Sequence, residues 1–202
     1  MVSLDTCEPF FDYVRRYMDL DSDTRELVAS QLAQITFSPK HVILREGAVC
    51  NKIFFIISGT ARSYYTDCSG LTVTWAFHFN NKHSVIRNAF ISDYRAFLTG
   101  KPSSVSIETL SEVNALVFTN EAMKTLMQKS LQFDIWQKRV TEMAYVTMFE
   151  RAFTLLTMSA AERYCKLVDQ EAHLLQMFPS HYIASYLGVA RQSLSRIKGQ
   201  HH

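Results

Sequence analysis

Ser180-His-Tyr-Ile-Ala-Ser-Tyr-Leu-Gly-Val-Ala-Arg-Gln-Ser-Leu-Ser-Arg-Ile-Lys198 reads as two short helices joined by a sharp turn. Counting Ser180 as the first position, Ala184 is the fifth and Gly188 the ninth. A small residue at Ala184 lets a second helix cross the first closely, and Gly188 takes the positive φ that a sharp turn needs. Ile183, Leu187, Val189, Leu194 and Ile197 fill the inward positions, with Leu194 and Ile197 one helical turn apart. Arg191, Gln192, Ser193, Ser195, Arg196 and Lys198 are left for the outside.

Immediately upstream, Ser159-Ala-Ala-Glu162 has the form of a capping box, so a fresh helix starts there after a break at Met158. Before the break, residues 131–157 carry no Gly or Pro, and an uninterrupted helix of that length is about 40 Å long. Two apolar rows run along its second half: Val146, Phe149, Phe153 and Leu156, and beside them Tyr145, Met148, Ala152 and Leu155. A helix on one core needs a single stripe. Two rows predict one face against the rest of its own chain and one against a second helix, hence a homodimer.

Further upstream the period changes. Between Ile35 and Phe118 the stretches HVILREG, KIFFIISGTARSYYT, LTVTWAFHF, SVSIETL and ALVFT are rich in β-branched and aromatic residues. Glu46-Gly47, Ser58-Gly59, Asp67 to Gly70, Asn80-Asn81 and Gly100 to Pro102 separate them. Many short strands at that spacing predict a sandwich or barrel. Asp5 to Ala33 reads as two helices, the second capped by Asp21 or Ser22, and Thr119 or Asn120 caps a short helix after the strands. The expected class is α+β: a β-roll unit over residues 1–130, a long helix over 131–157 and a helical unit over 158–202.

Composition narrows the classes. A hydrophobic fraction of 48% supports a sizeable core, while a net charge of +2 does not mark a nucleic-acid binder by itself. The distribution is more telling: from Phe178 to Gln200 the only formal charges are Arg191, Arg196 and Lys198. No stretch approaches the roughly 20 apolar residues of a membrane span, and the start lacks a basic-then-apolar signal pattern, so the cytoplasm is the expected location. Cys7, Cys50, Cys68 and Cys165 have no CxxC or regular spacing and read as reduced thiols. His201 and His202 are native or tag residues and receive no role.

The two-helix segment has the chemistry of a DNA reader. Arginine bonds guanine in a bidentate fashion and glutamine does the same to adenine. The start of a recognition helix is the part that reaches base edges. Arg191 and Gln192 are therefore assigned to bases, with Arg196 beside them reaching a base or a phosphate, and Ser180, Ser193, Ser195 and Lys198 are assigned to phosphates.

This order of short helices, β-roll, long helix and C-terminal helix-turn-helix resembles the Crp/Fnr family of transcription regulators over nearly the whole chain. IASYLGVARQSLSRI is similar to the family's recognition motif, with Arg191 and Arg196 on its two arginine positions. Gln192 stands where many members have glutamate, and Ala190 where serine or threonine caps the helix. HVILREGAVCNKIFFIISGTARSYY is similar to the early roll, with Gly47 and Gly59 at its turns. The resemblance implies a homodimer on double-stranded DNA, a small-molecule effector in the roll, RNA polymerase as a further partner, no membrane and no catalysis. The sequence ends soon after the second helix, which implies that the β-hairpin wing of many members is absent or nearly so.

FISDYRAFLTGKPSSVSIETL aligns with the family's cyclic-nucleotide phosphate cassette, where cyclic-AMP binders carry Gly-Glu and then Arg-Ser or Arg-Thr. Here those places hold Ser92-Asp93 and Ser103-Ser104, the candidate effector-pocket residues. Asp93 is one carbon short of the ribose-binding glutamate, and Ser103 cannot neutralise a phosphate, which argues against cyclic AMP; Arg87 and Arg95 are the nearby cations. Other sensors fit less well. An iron–sulfur site needs more than Cys7 at the N-terminus, and His78 and His83 are the histidines a haem or cupin-like metal site would have to use. Two other classes stay open: a roll that regulates a protein partner, and a small β-roll metal enzyme.

Overall fold

The computed structural model describes residues 2–200; His201 and His202 lie outside them. Two helices open the chain, α1 (Leu4–Arg15) and α2 (Ser22–Gln31). Each begins where a side chain satisfies a free backbone amide: Ser3 accepts from the Thr6 N–H and Asp21 from the Thr24 N–H. The roll follows as β1 (Ala33–Phe37), β2 (Val42–Leu44), β3 (Lys52–Ser58), β4 (Thr60–Thr66) and β5 (Thr72–Phe79), a one-turn helix α3 (Ile86–Ala89), β6 (Phe90–Ile91), α4 (Tyr94–Thr99), β7 (Ser106–Thr109) and β8 (Val113–Thr119). Helices α5 (Asn120–Lys129), α6 (Leu131–Thr157), α7 (Ala160–Glu171), α8 (His173–Met177), α9 (Ser180–Tyr186) and α10 (Arg191–Gln200) complete it.

The strands form two four-stranded antiparallel sheets, in the orders β1-β8-β3-β6 and β2-β7-β4-β5. Between the sheets lie Phe54, Ile56, Ile91, Ile107, Val113, Ala115 and Val117, the inward half of each strand's alternation. The outer face of β3 and β8 is covered by α1, α2, α5 and the first half of α6. Phe10 is the hub there, with ring centroids 5.2 to 5.3 Å from those of Phe55, Phe118 and Trp136. The fold class is thus the expected α+β roll with C-terminal helices.

Gly59 shows why the β3–β4 turn takes only glycine. It holds φ +97°, and an added Cβ would sit 2.0 Å from the Glu112 carbonyl oxygen. Gly47 also has positive φ, at +81°, but its Cβ direction is open.

Helix α6 runs without a break over the expected residues and ends at Thr157. Ser159 then accepts from the Glu162 N–H while the Glu162 carboxylate accepts from the Ser159 N–H, the expected capping box. The two apolar rows do not divide as expected. Tyr145, Val146, Phe149, Phe153 and Leu156 are all exposed, as is Ala152, and only Met148 and Leu155 are half-buried. The inward side of the second half carries Arg151 and Thr154 instead. Past Val140 the helix still meets the roll through Thr141 and Ala144, and Tyr145 and Met148 line a cavity against it, while Arg151 turns to the Tyr186 carbonyl of the C-terminal helices.

Candidate functional site

Helices α9 and α10 form the helix-turn-helix. Gly188 sits between them with φ +69°, as the spacing requires. Ile183, Ala184, Leu187 and Leu194 are at most 2% exposed, so the inward set closes the crossing of the two helices. Arg191, Gln192, Ser195 and Arg196 are exposed, as is Ser180 at the start of α9; Ser193 and Lys198 are half-exposed. Among the described residues their one mutual bond is a 3.4 Å contact from Arg196 to the Ser193 hydroxyl. The assigned residues thus form one polar, basic face, free of carboxylates. The Ala190 carbonyl accepts from the Leu194 N–H, which puts Ala190 at the cap position with no side-chain acceptor to offer.

These helices do not stand apart from the roll. Their core continues into β5 through Phe77 and Phe79, and the Phe77 ring stacks on Phe178 at 4.0 Å. Strand β5 is a sheet edge, and Ser185 of α9 occupies it: its hydroxyl accepts from the Thr74 N–H at 2.8 Å and donates to the Thr72 carbonyl at 3.1 Å. That satisfies backbone groups which an edge strand otherwise leaves open. Buried Arg62 on β4 lies over the Tyr182 ring at 4.0 Å while bonding Glu108 at 2.7 Å. Arg151 of α6 donates to the Tyr186 carbonyl at 2.6 Å, and Arg87 bonds Glu171 at 2.5 Å. His83 stacks on His173 at 4.3 Å. Sequence reading missed this seam, although an arginine at 151 inside apolar rows was a visible irregularity.

The cassette residues do converge. Asp93 is 8% exposed and caps α4, accepting from the Ala96 N–H at 3.0 Å. Its other oxygen accepts from the Ser103 hydroxyl and the Ser104 N–H, each at 3.0 Å. Burial alone would raise its pKa, but these hydrogen bonds and nearby Arg95 outweigh burial and hold the carboxyl below its ordinary range. Asp93 is therefore not a shortened ribose ligand: its carboxylate is consumed by the cassette's own donors. Ser92 lies 3.4 Å from the Cys50 sulfur. Neither arginine is aimed at the corner as a free cation, since Arg87 is paired with Glu171 and Arg95 donates to the Pro102 carbonyl. The residues present do not fit a cyclic phosphate, which would meet a carboxylate already paired with Arg95 at 3.8 Å and no unpaired cation beside it among the described residues.

Beside this corner a cavity of ≈ 780 Å³ opens between the roll and α6. Trp75, Phe90, Leu98, Trp136, Val140 and Met148 are among its walls. Tyr94 crosses from α4 to the helix, with its hydroxyl 2.8 Å from the Thr141 hydroxyl and accepting from Gln137 at 2.8 Å. His78 also lines it, bonded to the Ser63 hydroxyl at 2.6 Å. Burial lowers the pKa of His78 to about 4, so its ring is neutral. His83 lies elsewhere, exposed against His173. Among the described residues no group of three or more His, Cys, Asp or Glu is placed to hold a metal ion. No helix of these residues is long and apolar enough to cross a membrane.

Residues 34–130 match the family model described as the cyclic nucleotide-binding domain. The fold is the one shared by solved structures of Crp/Fnr regulators. Three solved structures make the fold likeness concrete. A regulator assigned to the Crp/Fnr family from Eubacterium rectale is 15% identical, with TM-score 0.63 over 88% of this chain and 82% of its own. FixK2 from Bradyrhizobium japonicum is 15% identical, with TM-score 0.65 over 84% and 83%. The c-di-GMP responsive global regulator CLP of Xanthomonas campestris is 15% identical, with TM-score 0.61 over 89% and 91%. No curated protein matches the chain by sequence.

Proposed function

We propose that the chain is a DNA-binding transcription regulator that reads a pseudo-palindromic operator as a homodimer, under control of a small effector other than cyclic AMP. The observation that carries the reading is the carboxylate-free face of α10, where Arg191, Gln192 and Arg196 are exposed at the start and outside of the second helix. Dimer formation is supported by the exposed row of Val146, Phe149, Phe153 and Leu156, with Tyr145 of the neighbouring row beside it. Leu156 is 86% exposed and Tyr145 72%, and apolar rows of that extent mark a surface meant for a partner. Pairing α6 with its copy sets two recognition helices on one side of the dimer. Half-sites are then about 34 Å apart, one turn of the duplex. The working division is roll 1–130, dimer helix 131–157 and DNA-binding unit 158–202.

The test is genome-fragment selection with the full chain at fixed, near-physiological salt, alongside the double variant Arg191→Ala/Arg196→Ala. Recovery of one two-fold-symmetric site by the parent protein alone is the expected result. Equal recovery by both proteins sinks the assignment of α10 and leaves a roll that works through protein partners.

A further inference from the structure

The cavity between the roll and α6 combines two features that do not suit the same ligand as an ordinary nucleotide site. Its anion corner is filled by the protein: the Asp93 carboxylate already accepts from the Ala96 N–H, the Ser104 N–H and the Ser103 hydroxyl, at 3.0 Å in each case. The remainder is a space of ≈ 780 Å³ walled mainly by aromatic and aliphatic side chains from both the roll and the long helix. That volume falls in the range of about 300–1,000 Å³ used by sites that enclose drug-sized molecules. We infer that this cavity takes a neutral, predominantly apolar small molecule with a fused or paired ring system. The inference rests on the regulator reading above and specifies its effector.

The chemistry follows from what each wall offers. A second negative charge beside Asp93 is disfavoured by both the fixed carboxylate and the loss of water. Both arginines line the cavity, but Arg87 is engaged by Glu171, and Arg95 by the Pro102 carbonyl and by Asp93 itself at 3.8 Å, so neither compensates a further anion without breaking an existing bond. His78 is 3% exposed and bonded to Ser63, and as a neutral ring it adds no positive charge. The fixed polar spot on the helix side is the Tyr94–Gln137–Thr141 cluster, which suits one hydroxyl, carbonyl or ether on an otherwise apolar ligand. Because Tyr94 belongs to α4 and the other two to α6, a ligand seated there touches the cassette and the dimer helix together.

Both tryptophans of the chain, Trp75 and Trp136, line the cavity, so intrinsic fluorescence reports on it directly. The experiment titrates the full chain with N-phenyl-1-naphthylamine, with its sulfonated counterpart 8-anilino-1-naphthalenesulfonate, and with cyclic AMP. The two dyes share a ring pair and differ in charge. The expected result is saturable energy transfer from tryptophan to the neutral dye, with affinity at least ~10-fold above that for the sulfonate, and no response to cyclic AMP. Ala144→Phe fills the space from the helix and Val105→Phe from the roll; either, if folded by circular dichroism, abolishes the transfer. Equal or tighter binding of the sulfonate, binding of cyclic AMP, or no transfer with the neutral dye overturns the inference. So does loss of dye binding as protein concentration drives dimerisation, which would assign the space to the second copy's helix. Operator retention by the same unmodified protein is scored in parallel: kept while the dye fails, it leaves the regulator reading standing; lost, it removes that reading instead.

Discussion

Replacing Phe178 by alanine should loosen the seam between the C-terminal helices and the roll while sparing the roll itself. Phe178 is 4% exposed and stacks on Phe77 at 4.0 Å with an interplanar angle of 17°. Truncating a buried phenylalanine costs about 3–5 kcal/mol. Part of that loss falls inside the C-terminal unit, where Phe178 shares a core with Leu174 and Ile183. Assigning about half to the contacts with Phe77 and Phe79 leaves ~2 kcal/mol for the seam, or roughly thirtyfold in its opening equilibrium. The Thr74 amide is a built-in reporter, because it donates across the seam to Ser185 at 2.8 Å. Its hydrogen exchange should accelerate roughly thirtyfold in Phe178→Ala, while amides of β8, paired between β1 and β3, stay within about a factor of two. Equal acceleration at both places, or none at Thr74, refutes the seam as a separate opening unit.

Three further outcomes follow from single positions. Gly47→Ala and Gly59→Ala share a positive-φ penalty of ~1–2 kcal/mol. Only Gly59→Ala also drives a Cβ onto the Glu112 carbonyl, so denaturant unfolding should show it losing a further ~1–3 kcal/mol; equal losses refute the steric account. Ala190→Ser supplies the missing acceptor at the start of α10 and should stabilise that helix by about 1 kcal/mol, read as a raised unfolding midpoint with unchanged fold. His78 gives a pH signature. Burial depresses its pKa to about 4 from 6.5, so between those values the unfolded chain binds a proton the folded chain refuses. Its contribution is complete above pH 6.5 and shrinks as pH falls to about 4, with a slope of up to ~1.4 kcal/mol per pH unit. His78→Asn should flatten most of that slope in denaturant melts. His173, also lowered by burial and by His83, adds to it, and the lowered carboxylates of Asp93 and Glu162 add at its acid end.

The roll, the long helix and the helix-turn-helix were legible because each depends on local pattern. Alternation wrote the strands, and an uninterrupted run bounded by the Ser159–Glu162 box wrote α6 and its end. Gly188 and Ala184 wrote the turn and the crossing. The cassette was legible only as a mismatch. That serines replaced the charged residues was visible, but Asp93's turn back onto Ala96 and Ser104 depends on the approach of segments eleven residues apart. The two rows on α6 were read as two packed faces, and the structure leaves them both mainly exposed. Periodicity reports which residues share a face, and it cannot report whether a partner is the same chain or another.

The seam was the least legible feature for a related reason, and it changes how the parts work together. Phe77 and Phe79 of β5 face the C-terminal helices, and Ser185 of α9 bonds the edge strand. None of these carries a local signal, since each is paired across roughly a hundred residues of sequence. Strand β5 therefore serves two places at once: Ala76 and His78 line the cavity, while Phe77, Phe79 and the Thr74 amide hold the C-terminal helices. Neighbouring residues on a strand point to opposite faces, so any ligand that shifts one face of β5 must displace the other. A strand shared in this way gives a direct route from the cavity to the C-terminal helices. It follows that the exchange rate of the Thr74 amide should change when the neutral dye fills the cavity. If dye binding leaves that amide untouched, signal transfer runs through α6 alone, by way of Tyr94, Gln137 and Thr141.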